Sequence, residues 1–230
     1  MHRPINLRIP GPTPVPPQVL EALARPVIAH RGPEAQALVD RLRSKLRRAF
    51  QTDHEVLIFT ASGTGGMEAA VANLLSPGDR VLVVSGGVFG ERWVDLASAY
   101  RAEVDVLRHP HGTAFVPEEI AARLVRHGPY RALFVTHNET STGVTNDLRA
   151  LAQALAPWGE ARPLLVVDAI SSLGAVDLQT DAWGCDVVIT GSQKALMAPP
   201  GLALVSVSPR ALAAAERATN PRFYWDFRRM

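Results

Sequence analysis

Lysine is nearly absent from this chain. Of its 24 basic residues, 22 are arginine and only Lys45 and Lys194 are lysine. Cysteine occurs once, at Cys185, which excludes an intrachain disulfide and a thiolate metal cluster. Set in Gly184-Cys185-Asp186 before an apolar run, it reads as a small packed residue. No apolar stretch reaches the roughly 20 residues of a membrane-spanning helix. Met1-His2-Arg3-Pro4-Ile5-Asn6 lacks the apolar segment of a signal peptide. The expected compartment is the cytoplasm, with no membrane partner. A large excess of either charge is missing too: the 24 basic and 22 acidic residues leave a net charge of +2. They are interleaved, and no basic run carries aromatics, so no nucleic-acid partner is expected. His109-Pro110-His111 has no carboxylate or thiol beside it and reads as a surface loop rather than a metal site.

The chain does contain a series of apolar runs. Leu164-Leu165-Val166-Val167 is continuous and ends on Asp168; Val187-Val188-Ile189-Thr190 runs into Gly191-Ser192-Gln193-Lys194. Runs without polar alternation suit strands buried on both faces of a parallel sheet. Each delivers one ionisable residue just past a strand end, the edge at which open α/β sheets bind ligands. A chain this sparing of lysine has a chemical reason to keep one there. A desolvated ammonium can lose its proton and attack a carbonyl, forming a Schiff base, whereas a guanidinium stays protonated. The alternative is two lysines left by drift.

At 230 residues, with 47% hydrophobic and 20% charged content, the chain suits one α/β domain of generous size. Residues 1–16 are rich in proline, with Pro4, Pro10, Pro12, Pro14 and Pro16 followed by Pro17. Fixed φ angles and few donors predict an extended arm lying across a surface. Helices are expected over 17–29 and 33–50, each opened by proline. Strands are then expected over 56–60, 81–85, 104–108, 132–136, 164–168, 187–190 and 202–207. Helices over 66–75, 91–100, 117–127, 148–156 and 211–218 separate or follow them. The alternation predicts a mostly parallel sheet with helices on both faces. The interval from Val187 to Val207 is too short for a full helical crossover and predicts one antiparallel strand. Phe223, Tyr224, Trp225 and Phe227 near the end call for a cover.

Four loops converge on one edge of that sheet, Gly191-Ser192-Gln193-Lys194 and three more. Ala61-Ser62-Gly63-Thr64-Gly65-Gly66 joins a strand to a helix, with glycines and hydroxyls suited to a phosphate. An ordinary strand-to-helix turn is the other reading. The loop is not a dinucleotide fingerprint, because Glu68 occupies the third glycine's place, and it is not a P-loop, because no lysine follows Gly66. Ser85-Gly86-Gly87-Val88-Phe89-Gly90 offers a ring that can stack on a flat heterocycle or join the core. Thr136-His137-Asn138-Glu139-Thr140-Ser141-Thr142-Gly143 is almost wholly polar and can hold a ligand's oxygens or form a capped turn.

Together these residues resemble the class V aminotransferases, the pyridoxal-phosphate enzymes of the alanine-glyoxylate and serine-glyoxylate type. The similarity extends from Pro10-Gly11-Pro12-Thr13 to Arg222-Phe223-Tyr224. It is most specific in Ser62-Gly63-Thr64-Gly65, in the polar loop from Thr136 to Gly143, in Val167-Asp168-Ala169-Ile170-Ser171-Ser172-Leu173-Gly174 and in Gly191-Ser192-Gln193-Lys194-Ala195-Leu196. The resemblance implies the large domain of the aspartate-aminotransferase fold (PLP fold type I), with a seven-stranded sheet containing one antiparallel strand. It implies pyridoxal 5'-phosphate (PLP) as cofactor, held as a Schiff base by Lys194, which would also carry the proton transfer. Asp168 would pair with the pyridine nitrogen, and Phe89 and Ile170 would flank the ring. Ser62, Gly63, Thr64 and Gln193 would hold the phosphate, and Thr140 the phenolic oxygen.

Cysteine-desulfurising relatives usually carry histidine before the lysine and on the ring; Gln193 and Phe89 here favour transamination, from alanine or serine to glyoxylate or a similar 2-oxo acid. The family implies a homodimer. It also implies an arm at 1–16, a PLP-binding large domain at 17–210, and at 211–230 the start of a connection to a small C-terminal domain that this chain lacks. Such a domain would supply the arginine for the substrate's α-carboxylate. A truncated or non-catalytic PLP- or phosphate-binding protein is the alternative.

Overall fold

The computed structural model describes residues 7–230; the first part of the expected arm, residues 1–6, lies outside the described residues. Two helices, α1 (Pro17–Leu23) and α2 (Pro33–Phe50), lead into β1 (Glu55–Thr60), α3 (Gly63–Leu74), β2 (Arg80–Ser85), α4 (Val88–Ala99), β3 (Glu103–Arg108), α5 (Pro117–His127) and β4 (Ala132–Thr136). A short hairpin, β5 (Asn138–Glu139) and β6 (Val144–Thr145), precedes α6 (Leu148–Leu155), β7 (Leu164–Asp168), β8 (Val187–Gly191), β9 (Leu202–Val207) and α7 (Pro209–Arg217). The main sheet has seven strands in the order β1-β9-β8-β7-β4-β2-β3. Strand β9 runs antiparallel to both its neighbours, and the pairs among β8, β7, β4, β2 and β3 are parallel. This is the sheet expected from the apolar runs, including its one reversed strand.

The reason lies in burial on both faces. Along β4, Phe134 joins a core under α3, α4 and α7 with Met67, Val83, Trp93 and Ile189. Its neighbours Leu133 and Val135 point the other way, into a core under α2, α5 and α6 with Phe50, Leu82, Leu124 and Leu151. A strand sandwiched in this manner has no face for polar alternation. β3, at the sheet edge, is only half-buried, opening on Glu103 and setting Asp105 between Val104 and Val106, a polar edge that resists pairing with another chain.

Three helix boundaries differ from expectation by three residues or more. α1 ends at Leu23 rather than 29, because Arg25 precedes Pro26 and a residue before proline is pushed out of the α region. α3 begins at Gly63, three residues early, since Ser62 caps it: its Oγ accepts the Gly65 amide at 3.4 Å. α4 begins at Val88, so Phe89 lies in a helical turn and not in a loop. His109 is also less exposed than a surface loop implies; its side chain is 7% exposed and faces Glu119 at 3.8 Å.

The aromatic tail finds part of its cover within the same body. Phe227 is buried and Trp225 half-buried, their rings 6.2 Å and 5.9 Å from that of Phe59. Phe223 and Tyr224 stay exposed. Asn73, fully buried in α3, donates to the Trp225 carbonyl at 2.6 Å and accepts the Phe227 amide at 3.0 Å. Arg222 donates to the carbonyls of Ala215 and Ala218, closing the C-terminal end of α7.

Candidate active site

The parallel register carries two ionisable groups to one rim. Asp168 is the last residue of β7 and lies opposite Ile189 of the neighbouring β8. Three residues past the end of β8, Lys194 stands in the following turn. The proline-rich arm crosses this turn: the Thr13 amide donates to the Gln193 carbonyl at 3.0 Å, and its hydroxyl to the Lys194 carbonyl at 2.9 Å. Burial draws the Lys194 amine below the usual lysine range; Asp168 opposes this, and Arg92 pushes the same way as burial. A larger share of neutral amine follows.

Asp168 is 3% exposed. Burial lifts its carboxyl to about 7; the amide of Ile170, donating to Oδ1 at 2.8 Å, pulls the other way, as do Arg92 and Lys194, while Glu139 pushes it further up. A buried carboxylate with so few donors is expensive to ionise unless a cation meets it.

The loop after β1 makes a cup at the N-terminus of α3. With the Gly65 amide turned to Ser62, the amides of Gly63 and Thr64 have no acceptor among the described residues. The chain passes too tightly here for side chains. A Cβ on Gly63 would fall 2.6 Å from Ile170 Cδ1, and one on Gly65 2.9 Å from Trp225 Cη2. Ile170 thus packs against the phosphate-type loop as well as bonding Asp168. Gln193 adds a buried side-chain oxygen with no hydrogen-bond partner, a polar group awaiting a ligand or water.

Phe89 is held by a residue to which the sequence had assigned no role. The buried carboxylate of Glu139 accepts the amides of Phe89 (3.1 Å), Gly90 (3.0 Å) and Ser141 (3.2 Å), and the Ser141 hydroxyl at 2.6 Å. A carboxylate on the first amides of α4 satisfies donors that Gly87 cannot cap and suits the helix dipole. Thr140, beside it, donates from Oγ1 to Ser171 Oγ at 2.8 Å, joining the polar loop to the turn after β7. Arg92, one turn beyond Phe89, is the other residue missed. Its spacing of three residues on an amphipathic helix was the available signal.

The sequence-predicted residues therefore share one rim through named links: Gly63 to Ile170, Ile170 to Asp168, Thr64 to Arg92 (3.0 Å), and Arg92 to the Phe89 ring (4.8 Å to its centroid). Thr140 reaches this set through Ser171 and Gln193 through the backbone of the Lys194 turn.

Known proteins carry the same body. The chain is 48% identical over 222 residues to the soluble hydrogenase small subunit of a Synechococcus species, covering 96% of this chain and 57% of that one. It is 40% identical over 227 residues to an L-aspartate–glyoxylate aminotransferase of Paracoccus denitrificans, again covering 96% and 57%. The chain thus spans little more than half the length of these curated relatives. Among solved structures, an alanine–glyoxylate aminotransferase of a Nostoc species superimposes with a TM-score of 0.90 at 35% identity, over 99% of this chain and 62% of that one. Residues 5–220 match the model of the family described as aminotransferase class-V, and with the sheet order and the rim built as above, this chain belongs to the class V aminotransferase family.

Proposed function

We propose that the chain is the PLP-binding part of an aminotransferase that moves an amino group from a small amino acid, alanine or serine, to glyoxylate or a similar 2-oxo acid. The observation that carries this reading is the pairing, on one rim, of a lysine whose amine is held below its usual range with a buried aspartate in need of a cation. The cup fits the cofactor's phosphate: free amides at Gly63 and Thr64, and an unpartnered Gln193 side-chain oxygen whose amide can turn to offer its NH2. Ser62, Gly63, Thr64 and Gln193 would hold that phosphate, Phe89 and Ile170 the ring, Thr140 its phenolic oxygen, and Asp168 its nitrogen.

When bound, PLP supplies an electron sink for the pair left on a substrate's α-carbon after its proton departs. The chain's residues serve that chemistry in distinct ways. Asp168, costly to ionise alone, gains most by ionising against a cationic N–H, and so holds a proton on its partner. Nζ of Lys194, whose amine burial draws below the usual range, can when neutral take up the α-proton and return it. The arm from Gly11 to Thr13 limits where that amine can swing. Glyoxylate as acceptor is supported by the names of two matched proteins. The hydrogenase name is borne by a relative; here the single cysteine is buried and its thiol is pushed up to about 12 by burial, a poor metal ligand. A second copy of the chain as partner is supported by α1, which buries none of its residues and exposes Leu20 and Leu23.

The test is covalent trapping. Chain mixed with PLP and reduced with borohydride should carry the cofactor on Lys194 by peptide mass, and Lys194→Ala should carry none. Absence of an adduct on the wild-type chain sinks the reading. An adduct without α-proton exchange of alanine or serine in deuterated water, and without glycine formed from glyoxylate, would leave a cofactor-holding chain that does not turn over.

A further inference from the structure

The cup that would receive a phosphate dianion is built from neutral donors. Ser62, Gly63, Thr64 and Gln193 bring hydroxyl, backbone and amide groups, and the α3 N-terminus adds a partial positive charge of about half a unit. Lys194 is reserved for covalent chemistry in the reading above. Desolvating a dianion against neutral groups alone is costly, so a full positive charge is called for.

Arg92 meets that description. It lies half-buried on α4, and its Nη1 donates to Thr64 Oγ1 at 3.0 Å. Its Cζ stands 4.8 Å from the centroid of the Phe89 ring. Seven arginines among the described residues reach a carboxylate: Arg47 at Glu55, Arg80 at Glu103, Arg108 at Glu91, Arg123 at Asp105, Arg162 and Arg210 both at Asp186, and Arg228 at Asp226. Among the described residues no carboxylate lies within ion-pair distance of Arg92, and Thr64 Oγ1 is its one hydrogen-bond acceptor. The other donors of its guanidinium fork are uncommitted. The contact with the Phe89 ring and the bond to Thr64 hold the guanidinium against the loop, which is the preorganisation that makes arginine effective toward phosphate.

We propose that Arg92 is the charged member of the phosphate cup, supplying the full cation that selects a phosphorylated aldehyde over its unphosphorylated form. The inference rests on the PLP reading and adds to it a residue that the motifs did not supply. It also gives Arg92 two attachments at once, since the same guanidinium joins the stacking ring to the anion loop.

The test compares PLP with pyridoxal, which has the same ring and aldehyde but no phosphate. Binding of each to the purified chain is followed by absorbance titration, for wild type, Arg92→Gln and Arg92→Lys. Arg92→Gln should weaken PLP by about 10- to 100-fold, the range of a hydrogen bond to a charged group, and leave pyridoxal unchanged. Arg92→Lys, which keeps the charge, should restore part of the preference for PLP. An unchanged melting temperature would show that the variants fold. Equal weakening of both ligands would overturn the inference, because Arg92 would then act only through the Phe89 ring; no weakening of either would overturn it as well. A wild-type chain that takes up neither aldehyde would instead sink the PLP reading, and this inference with it.

Discussion

Gly11 lies against Lys194 so closely that a Cβ built on it would stand 2.5 Å from the lysine Cδ and 3.0 Å from the Gln193 carbonyl oxygen. The lysine stem can move but the backbone cannot, so the added methyl must displace the side chain that carries Nζ. Overpacking of this kind typically costs about 1–3 kcal/mol. Gly11→Ala should therefore reduce the borohydride-trapped adduct on Lys194 about tenfold or more at limiting PLP, with the melting temperature nearly unchanged because the arm lies outside the two cores. An adduct yield equal to wild type would show that the arm does not constrain the lysine.

Asp168 should make the cofactor-free chain lose stability as pH rises. Its carboxyl is raised to about 7 from 3.8, so between those values the unfolded chain releases a proton that the folded chain keeps. The stability is complete below the unfolded value and is lost as pH climbs through the folded one; the gap corresponds to at most about 4 kcal/mol. His137 works in the opposite sense. Burial pushes its imidazole down from 6.5 to about 4, so stability is gained as pH rises through that window. The measurement is the difference between wild type and Asp168→Asn in urea midpoints from pH 4 to pH 7. The wild type should lose ground steadily against the variant; parallel curves would count against a protonated Asp168.

Glu139 should matter to folding more than a surface carboxylate does. Removing it leaves the amides of Phe89 and Gly90 without an acceptor at the start of α4. Glu139→Ala should destabilise the chain by about 3 kcal/mol, since buried donors are stranded. Glu139→Gln, which keeps one acceptor oxygen, should cost less. Equal small losses for both, read by chemical denaturation, would mean that water replaces the carboxylate.

Asn73 ties the aromatic tail to α3, the helix that the Ser62–Gly65 loop opens. Replacing it with leucine strands the Trp225 carbonyl and the Phe227 amide, at a cost of about 2–3 kcal/mol. Because Trp225 packs behind Gly65, the tail should loosen before the sheet does, and limited trypsin digestion at Arg222 should accelerate. Unaltered digestion would show that ring packing on Phe59 alone retains the tail.

The strands were legible because central strands buried on both faces must be written in apolar residues, and Leu164–Asp168 and Ala132–Thr136 read that way without help from any partner. Helix starts were less legible. α4 begins at Val88 although Gly87 offers no side-chain cap, because Glu139, distant in sequence, accepts its first amides. A cap supplied from another loop leaves no local signature. The cover expected for the tail is met in part, by Asn73 and Phe59 for Trp225 and Phe227, while Phe223 and Tyr224 stay exposed.

By itself the sequence determined which side chains stand at the carboxyl edge of the sheet, since strand ends and the residues that follow them are fixed by local patterning. The scarcity of lysine singled out Lys194, and the apolar runs delivered Asp168 to the same rim. Only the tertiary structure decided what those groups experience. Burial and the neighbours Arg92, Glu139 and Gly11 come from segments far apart in the chain, and electrostatic and steric effects depend on distance in space rather than on position in sequence. The identity of the ionisable residues is local information; the cost of charging them is not.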